Sequence, residues 1–378
     1  MKYNLADICE YAKGKVDVAI LDEETYISTE NMMPNKGGIT SASSLPTIAQ
    51  TQAFLAGDVL VSNIRPYFKK IWFAEFDGGC SNDVLVFRAK DGVSKRFLYY
   101  VLADDTFFDY SMATSKGTKM PRGDKAAIMK YEVPDFTYEE QEKISGILEV
   151  LDRKIQLNTE INENLLQQAQ AIFTQEFLNV EGIPDGWKES SLLGIADYLN
   201  GLAMQKFRPK DDEQGLPVLK IKELRQGACD ASSELCSPSI KPEYIVHDGD
   251  VIFSWSGSLL VDFWCGGTCG LNQHLFKVTS DTYDKWFYYA WTNHHLQKFV
   301  AIAADMATTM GHIKREELSK AVVLIPSQSD YDRIGGLLAP LYDLVIANRI
   351  ENRKLAALRD ELLPQLMSGQ LDVSEVDL

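Results

Sequence analysis

Apolar side chains recur at seven-residue steps in two stretches of the chain. Ile144, Leu151, Asn158, Leu165 and Ile172 form one series; Ile334, Leu341, Asn348, Leu355 and Leu362 form the other, offset by 190 residues and with the same central asparagine. Ile147, Ile161 and Ala169 in the first stretch, and Leu337, Leu344 and Leu358 in the second, add an apolar row about half a heptad away. Two interleaved rows at this spacing predict long helices joined along a coiled-coil seam. A single helix of this kind commonly packs on its own domain. A matched pair, each giving up seam stability for a central Asn, points instead to two helices that recognise each other in one register. The first helix is expected from about Tyr138 and should fray near Phe177, ahead of the linker NVEGIPDGW; at ~1.5 Å per residue it spans roughly 60 Å. The second carries Gly335, Gly336 and Pro340 in its first turns and Pro364 near its end, so a kink or break is expected around Pro340.

The echo extends beyond the helices. LADICEYAKG (Leu5 to Gly14) is answered by LLGIADYLNG (Leu192 to Gly201), each a short helix closed by Gly. GDVLVS (Gly57 to Ser62) is answered by GDVIFS (Gly249 to Ser254) at an offset of 192, a turn followed by a buried strand. CSNDVLVFRAKDG and GLNQHLFKVTSD supply a further strand each. TKMPRGDKAAIMKYEVP then finds its counterpart in TTMGHIKREELSKAVVLIP, with Pro134 and Pro326 again 192 apart. The organisation is module (1–137), helix and linker (138–180), module (181–328), helix (329–378), each module mixing strands with short helices in an α+β pattern. A chain of 378 residues suits two or three such domains.

Composition bounds the function. With 45% hydrophobic and 24% charged residues the chain is that of a folded protein with proper cores. Asp7 and Glu10 interrupt the apolar run a signal peptide needs, and no stretch is long enough to span a bilayer, so a cytoplasmic protein is expected. Six cysteines in so long a chain do not make a disulfide framework. Cys265, Cys269 and His274 lack a clear fourth ligand and the spacing of a zinc finger, and no metal is expected. A net charge of −16 stands against a nucleic-acid binder until its distribution is considered. Residues 136–180 hold three cations against eight carboxylates and residues 326–378 five against nine, so the helical segments carry −9 of the total. The modules are nearer neutral and contain basic runs.

The junction VPDFTYEEQEKISGILEVLDRKIQLNTEINENLLQQAQAIF, followed by GIPDGWKESSLLGIADYLNG, resembles the central region of the specificity subunits of type I restriction-modification systems. GDVLVSNIRPYFKKIWFAEFDGGCSNDVLVFR is similar to the strand-turn-strand of their target recognition domains, and LRDELLPQLMSGQLDV to their C-terminal ends; the resemblance covers the whole chain. It implies an α+β fold with an internal pseudo-twofold repeat, in which two similar target recognition domains are separated by two long antiparallel coiled-coil helices. It implies a non-catalytic subunit whose domains each read one half of a bipartite double-stranded DNA target. The helices would act as spacer and dock two methyltransferase subunits, and a restriction subunit joins them. S-adenosylmethionine, ATP and Mg belong, on this resemblance, to the partners, and this chain binds no cofactor and no membrane. A bivalent protein or glycan binder, with two α+β modules on a coiled-coil spacer, is the alternative.

Motifs of catalysis are missing from the sequence. There is no Asn/Asp-Pro-Pro-aromatic run of an adenine methyltransferase, no phosphate-binding G-x-x-x-x-G-K-[ST] loop and no H-E-x-x-H helix. Asp135, Gln141 and Lys143 could be forced onto a nuclease site, but they open the first long helix, where acidic residues are expected from the helix dipole. Candidate DNA contacts lie in the modules. SNIRPYFKKIW offers Asn63, Arg65, Tyr67, Lys69 and Lys70 in a turn after a buried strand, and SKGTKMPRGDK offers Lys116, Lys119 and Arg122. Arg suits guanine edges and phosphates, Asn suits adenine, and Lys is a point charge for phosphate. The second module offers Lys206 and Arg208, then Lys220 and Lys222, with Ser254 and Ser256 in the place of the first module's basic turn and Lys314 near the place of Arg122. The seam positions are Leu151, Asn158 and Leu165 against Leu341, Asn348 and Leu355.

Because the second helix repeats the seam of the first, a chain ending after residue 180 is expected to pair with itself. With a methyltransferase it should act on an inverted repeat of the first half-site. Sedimentation of residues 1–180 and mapping of methylated sites test this; a monomer would show that the helices fit each other and not themselves.

Overall fold

The computed structural model describes residues 3–305 and 313–376; the TTMGH stretch of the second module lies outside them. The chain forms two compact units, one of Met1–Arg153 with Ala356–Leu378 and one of Lys154–Leu355.

In the first unit the strands Cys9–Tyr11, Val84–Ala89, Val59–Ser62 and Ile71–Phe73 lie side by side in that order, all antiparallel. Its central strand reads VLVS and is buried at every position, because the sheet is covered on both faces. Val59 and Val61 pack among Phe97, Leu98 and Phe107 of the helices Lys95–Ala103 and Asp105–Ala113. Leu60 points the other way, among Phe54, Ile27 and Cys80 of a second sheet. The Ser94 and Asp104 side chains cap the two helices, accepting from the Phe97 and Thr106 amides at 3.3 and 2.7 Å.

The second unit repeats this plan from the second set of residues. Asp197–Asn200, Leu275–Thr279, Val251–Ser254 and Leu260–Phe263 form a sheet of the same order. Val251 and Phe253 face the helix Lys285–Asp305 while Ile252 faces the opposite core. In the second sheets the likeness is partial. Tyr26–Ile27 runs parallel to Gly78–Cys80, which is antiparallel to Gln50–Phe54; Leu216–Leu219, Cys269–Leu271 and Ile245–Val246 keep those relations. The fourth strand is added at opposite edges: Lys15–Asp17 pairs with Gln50–Phe54, whereas Leu235–Cys236 pairs with Leu216–Leu219. The repeat holds where both faces are buried and departs at the edge, where a strand can be exchanged without disturbing a core.

The first long helix spans Tyr138–Phe173 and passes into a π-helical turn over Thr174–Leu178. The second spans Gln328–Met367 without interruption, so the break expected at Pro340 does not occur. Gly335 is there for contact, since a Cβ would come within 3.0 Å of the Trp286 indole nitrogen. Gly336, whose carbonyl loses its helical donor to Pro340, is exposed, and water can replace the missing N–H.

Within the second unit the two helices run antiparallel. The Asn158 amide donates to Glu351 Oε2 at 2.7 Å and to Asn352 Oδ1 at 2.8 Å, and the Asn348 amide donates to Asn162 Oδ1 at 2.9 Å. Asn158 and Asn348 therefore sit in adjacent layers, and the seam holds four asparagines instead of the expected two. This corrects the half-heptad row. Ile161, Leu337, Leu344 and Leu358 are each more than 40% exposed, while the next residues along, Asn162, Leu338 and Val345, are buried in the second unit. The buried position is polar at Asn162, so a count of apolar residues settles on its neighbour. Among the nominated seam residues Leu165, Asn158 and Asn348 are buried and Leu151, Leu341 and Leu355 half-buried. In the first unit the same helices meet through Arg359 and Asp152 at 2.7 Å, with the Tyr100 hydroxyl donating to Asp152 at 2.8 Å.

Replacing Asn348 alone with Leu strands the buried Asn162 acceptor and is expected to cost about 1–3 kcal/mol. Replacing Asn162 and Asn348 together with Leu should cost less than the sum of the single changes, with a coupling near ~1 kcal/mol. Thermal midpoints of the three variants check this; additive shifts would mean the pair does not act as a unit.

Candidate nucleic-acid interface

The strand Val59–Ser62 delivers the chain into Asn63–Lys70, whose backbone turns sharply through a 3-10 turn at Pro66–Phe68. Arg65 and Lys69, on either side of the turn, adopt left-handed φ values of 51° and 50°. Asn35 and Lys36, at 56° and 60°, complete the non-glycine residues with positive φ among those described. All four belong to two loops bonded to each other: the Asn35 amide donates to Phe68 O at 2.8 Å and the Lys36 amide to Lys69 O at 2.9 Å. Such conformations cost of order 1–3 kcal/mol each and persist only where the surroundings dictate them. A third loop joins them, with the Arg65 amide donating to Pro121 O at 2.8 Å and Lys116 and Arg122 exchanging backbone bonds at 2.9 and 3.0 Å.

The nominated side chains of this module have different fates. Asn63 is buried, and its Oδ1, 2.9 Å from where a Cβ on Gly123 would sit, has no hydrogen-bond partner among the described residues. Tyr67 and Phe68 are exposed, their ring centroids 4.6 Å apart. Lys69 and Lys36 grip Asp105 at 2.7 and 3.0 Å. Partial burial raises the pKa of that carboxyl, but the two ammonium groups outweigh it and hold the group below the usual carboxylate range. Lys70 donates to Thr29 O at 2.6 Å, and burial lowers its pKa. Lys116 pairs with Asp124 at 2.6 Å and Arg122 with Asp83 at 3.1 Å. For Arg65 and Lys119 no carboxylate lies within 4.0 Å among the described residues, and Arg65 Nε is buried without a partner.

In the second module Lys220 and Arg208 share Glu234 at 2.7 and 3.2 Å, and Lys222 meets Asp230 at 3.2 Å. Lys206 and Lys314 are exposed. Ser254 and Ser256 are buried: the Ser254 hydroxyl donates to Ser258 O at 3.0 Å, and Ser256 Oγ lies 3.1 Å from His274 Nδ1. They shape a turn from within, while Trp255 beside them donates to Asn200 Oδ1 at 2.9 Å. Cys265 and Cys269 belong to different cores, and burial pushes the Cys265 thiol up to about 11.

The first-module surface unites three short stretches, residues 33–38, 63–70 and 115–123, which hold seven cations and no carboxylate in a chain of net charge −16. The carboxylates that tether them, Asp83, Asp105 and Asp124, come from outside the stretches. Sequence reading missed the loop at residues 33–38. Its only signal is the turn-forming PNKGG, and its closeness to the Asn63–Lys70 turn is tertiary.

Comparison with known proteins bears on the family and the fold. The family profile described as type I restriction modification DNA specificity domain matches residues 1–167 and again 184–358. A type I restriction enzyme specificity subunit (MjaIX) from Methanocaldococcus jannaschii is 25% identical, over 76% of this chain and 71% of the relative. The HindI specificity subunit of Haemophilus influenzae is 22% identical over 98% of this chain and 99% of its own length. A crystal structure of the S subunit of a type I restriction-modification system from M. genitalium shares the fold, with a TM-score of 0.58 at 15% identity over 97% of this chain and 96% of that one. With both modules matched, the chain belongs to the type I restriction-modification DNA specificity family.

Proposed function

We infer that this protein is the sequence-reading subunit of a type I restriction-modification complex, each α+β module reading one half of a bipartite DNA target. The observation that carries the reading is the internal repeat. One core is built twice, in Val59–Ser62 and Val251–Ser254 and the strands around them, but with different edge strands and different turns. Two readers on one scaffold suit two unlike half-sites. The first module presents the basic three-loop surface; the second presents Lys206, Lys314 and the turn around Trp255.

The long helices act as spacer and as dock for two methyltransferase subunits, to which a restriction subunit is added. Leu157, Ile161, Leu337 and Leu344 of the second unit, each more than 40% exposed, give these helices an apolar surface beyond their own seam. S-adenosylmethionine, ATP and Mg are assigned to the partners and none to this chain. Among the described residues no helix is long and apolar enough to cross a membrane, and a cytoplasmic complex on DNA is proposed. Co-expression with a methyltransferase tests the reading: a complex of two methyltransferases to one such chain, methylating a split sequence, is expected. Failure to co-purify would favour the bivalent binder of another ligand.

In that complex, replacing Arg65 and Lys119 with Ala is expected to weaken DNA binding on all sequences and to lower the slope of log K against log salt by about one for each phosphate no longer neutralised. The same change at Lys69 or Lys70 should have a smaller effect, since both already serve acceptors of the protein. An unchanged slope for Arg65 and Lys119 would place them away from the DNA.

A further inference from the structure

We propose that the Tyr67-Phe68 turn is the base-reading element of the first module, and that it recognises the apolar edge of a thymine; the proposal rests on the DNA-binding reading above. Three observations carry it. The two rings project from the turn, 48% and 37% exposed, with Lys70 Nζ 5.8 Å from the Phe68 ring centroid. Their position is fixed at a cost in backbone strain, by left-handed residues on both sides and by the Asn35–Phe68 and Lys36–Lys69 main-chain bonds. The nearest ammonium groups already have partners in the protein: Lys36 and Lys69 close on Asp105, and Lys70 donates to Thr29 O while lying over the Phe68 ring. Asp105 is therefore a positioning residue, which draws the two loops together from below the turn.

Chemistry then separates the roles. A phosphate offers the Phe68 ring no hydrogen bond, and although the Tyr67 hydroxyl can donate to one, the cations of the surrounding loops suit that contact better. Of the groups on base edges in the major groove, the thymine methyl is the apolar one, and ring faces meet it by van der Waals contact. A preorganised aromatic pair set among the cations of three loops thus combines attraction to DNA with an uncharged reading tip.

The test uses the complex assembled with its methyltransferase and a library carrying the wild-type target randomised in one half-site at a time. For the double variant Tyr67→Ala, Phe68→Ala, discrimination should fall by roughly 10- to 100-fold at one or two base pairs of one half-site. The other half-site should be read as before, and the salt slope should change by less than one. Asp105→Asn should shift discrimination at the same base pairs by a smaller factor. Replacing the contacted thymine with deoxyuridine should weaken wild-type binding about four-fold, as expected for one buried methyl group, and leave the double variant unaffected. If the double variant is insoluble, Tyr67→Ser alone, at an exposed position, takes its place. Full discrimination retained by the variant, a uniform loss on all sequences with a lower salt slope, or a uridine effect that persists in the variant would each overturn the proposal. A wild-type complex that methylates no split sequence would instead overturn the DNA-binding reading on which it rests.

Discussion

In the second unit, the pairing of Asn158 with Asn352 and of Asn162 with Asn348 is the constraint from which much else follows. An apolar seam between two long helices can slide by a heptad at little loss, whereas a buried amide shifted by one layer loses its partner. Register matters here because the second helix is also fastened to its module. Arg349 reaches Asp262 at 2.6 Å, and Arg353 holds both oxygens of Asp248 at 2.7 and 2.8 Å while donating to Cys265 O at 2.6 Å. Those arginines find their partners only if the helix stands at one height. The amide pairs and the guanidinium clamps therefore demand the same register, and each makes the other's geometry easier to keep.

Charge follows a related logic. The chain is acidic, and most cations nominated as DNA contacts are already engaged by carboxylates or carbonyls of their own module. An exposed pair such as Lys116 with Asp124 contributes little to stability, because water competes for both partners. Its effect is on placement: it keeps an ammonium group near a loop without leaving it uncompensated. Such cations can be transferred to phosphate at modest cost. Against these cations the uncharged Tyr67 and Phe68 tip of the Asn63–Lys70 turn stands out.

The repeat shows where duplicated sequence can drift. Strands buried on both faces, Val59–Ser62 and Val251–Ser254, keep the same pairing and the same alternation between two cores. The edge strand has changed sides, and a basic turn in one module has become a serine and tryptophan turn held from inside by His274 in the other. Core positions answer to many neighbours at once; edge and loop positions answer to few.

The sequence by itself determined the duplication, the α+β modules, the two long helices, the start at Tyr138 and the central asparagines, because each of these is written as a local period or as a repeat at a constant offset. The family resemblance rested on the same local features. Only the tertiary structure decided that Ile161, Leu337 and Leu344 face outward while Asn162 and Val345 turn in, since the choice between adjacent residues depends on which face the partner helix covers. It alone decided that Gln328–Met367 continues through Pro340, where an indole at Gly335 and an exposed carbonyl at Gly336 accommodate the residues that read as breakers. And it alone brought residues 33–38 to the Asn63–Lys70 turn and withdrew Asn63, Ser254 and Ser256 from the surface. A residue's exposure and its long-range partners depend on how distant segments pack, and nothing in the neighbouring sequence encodes that directly.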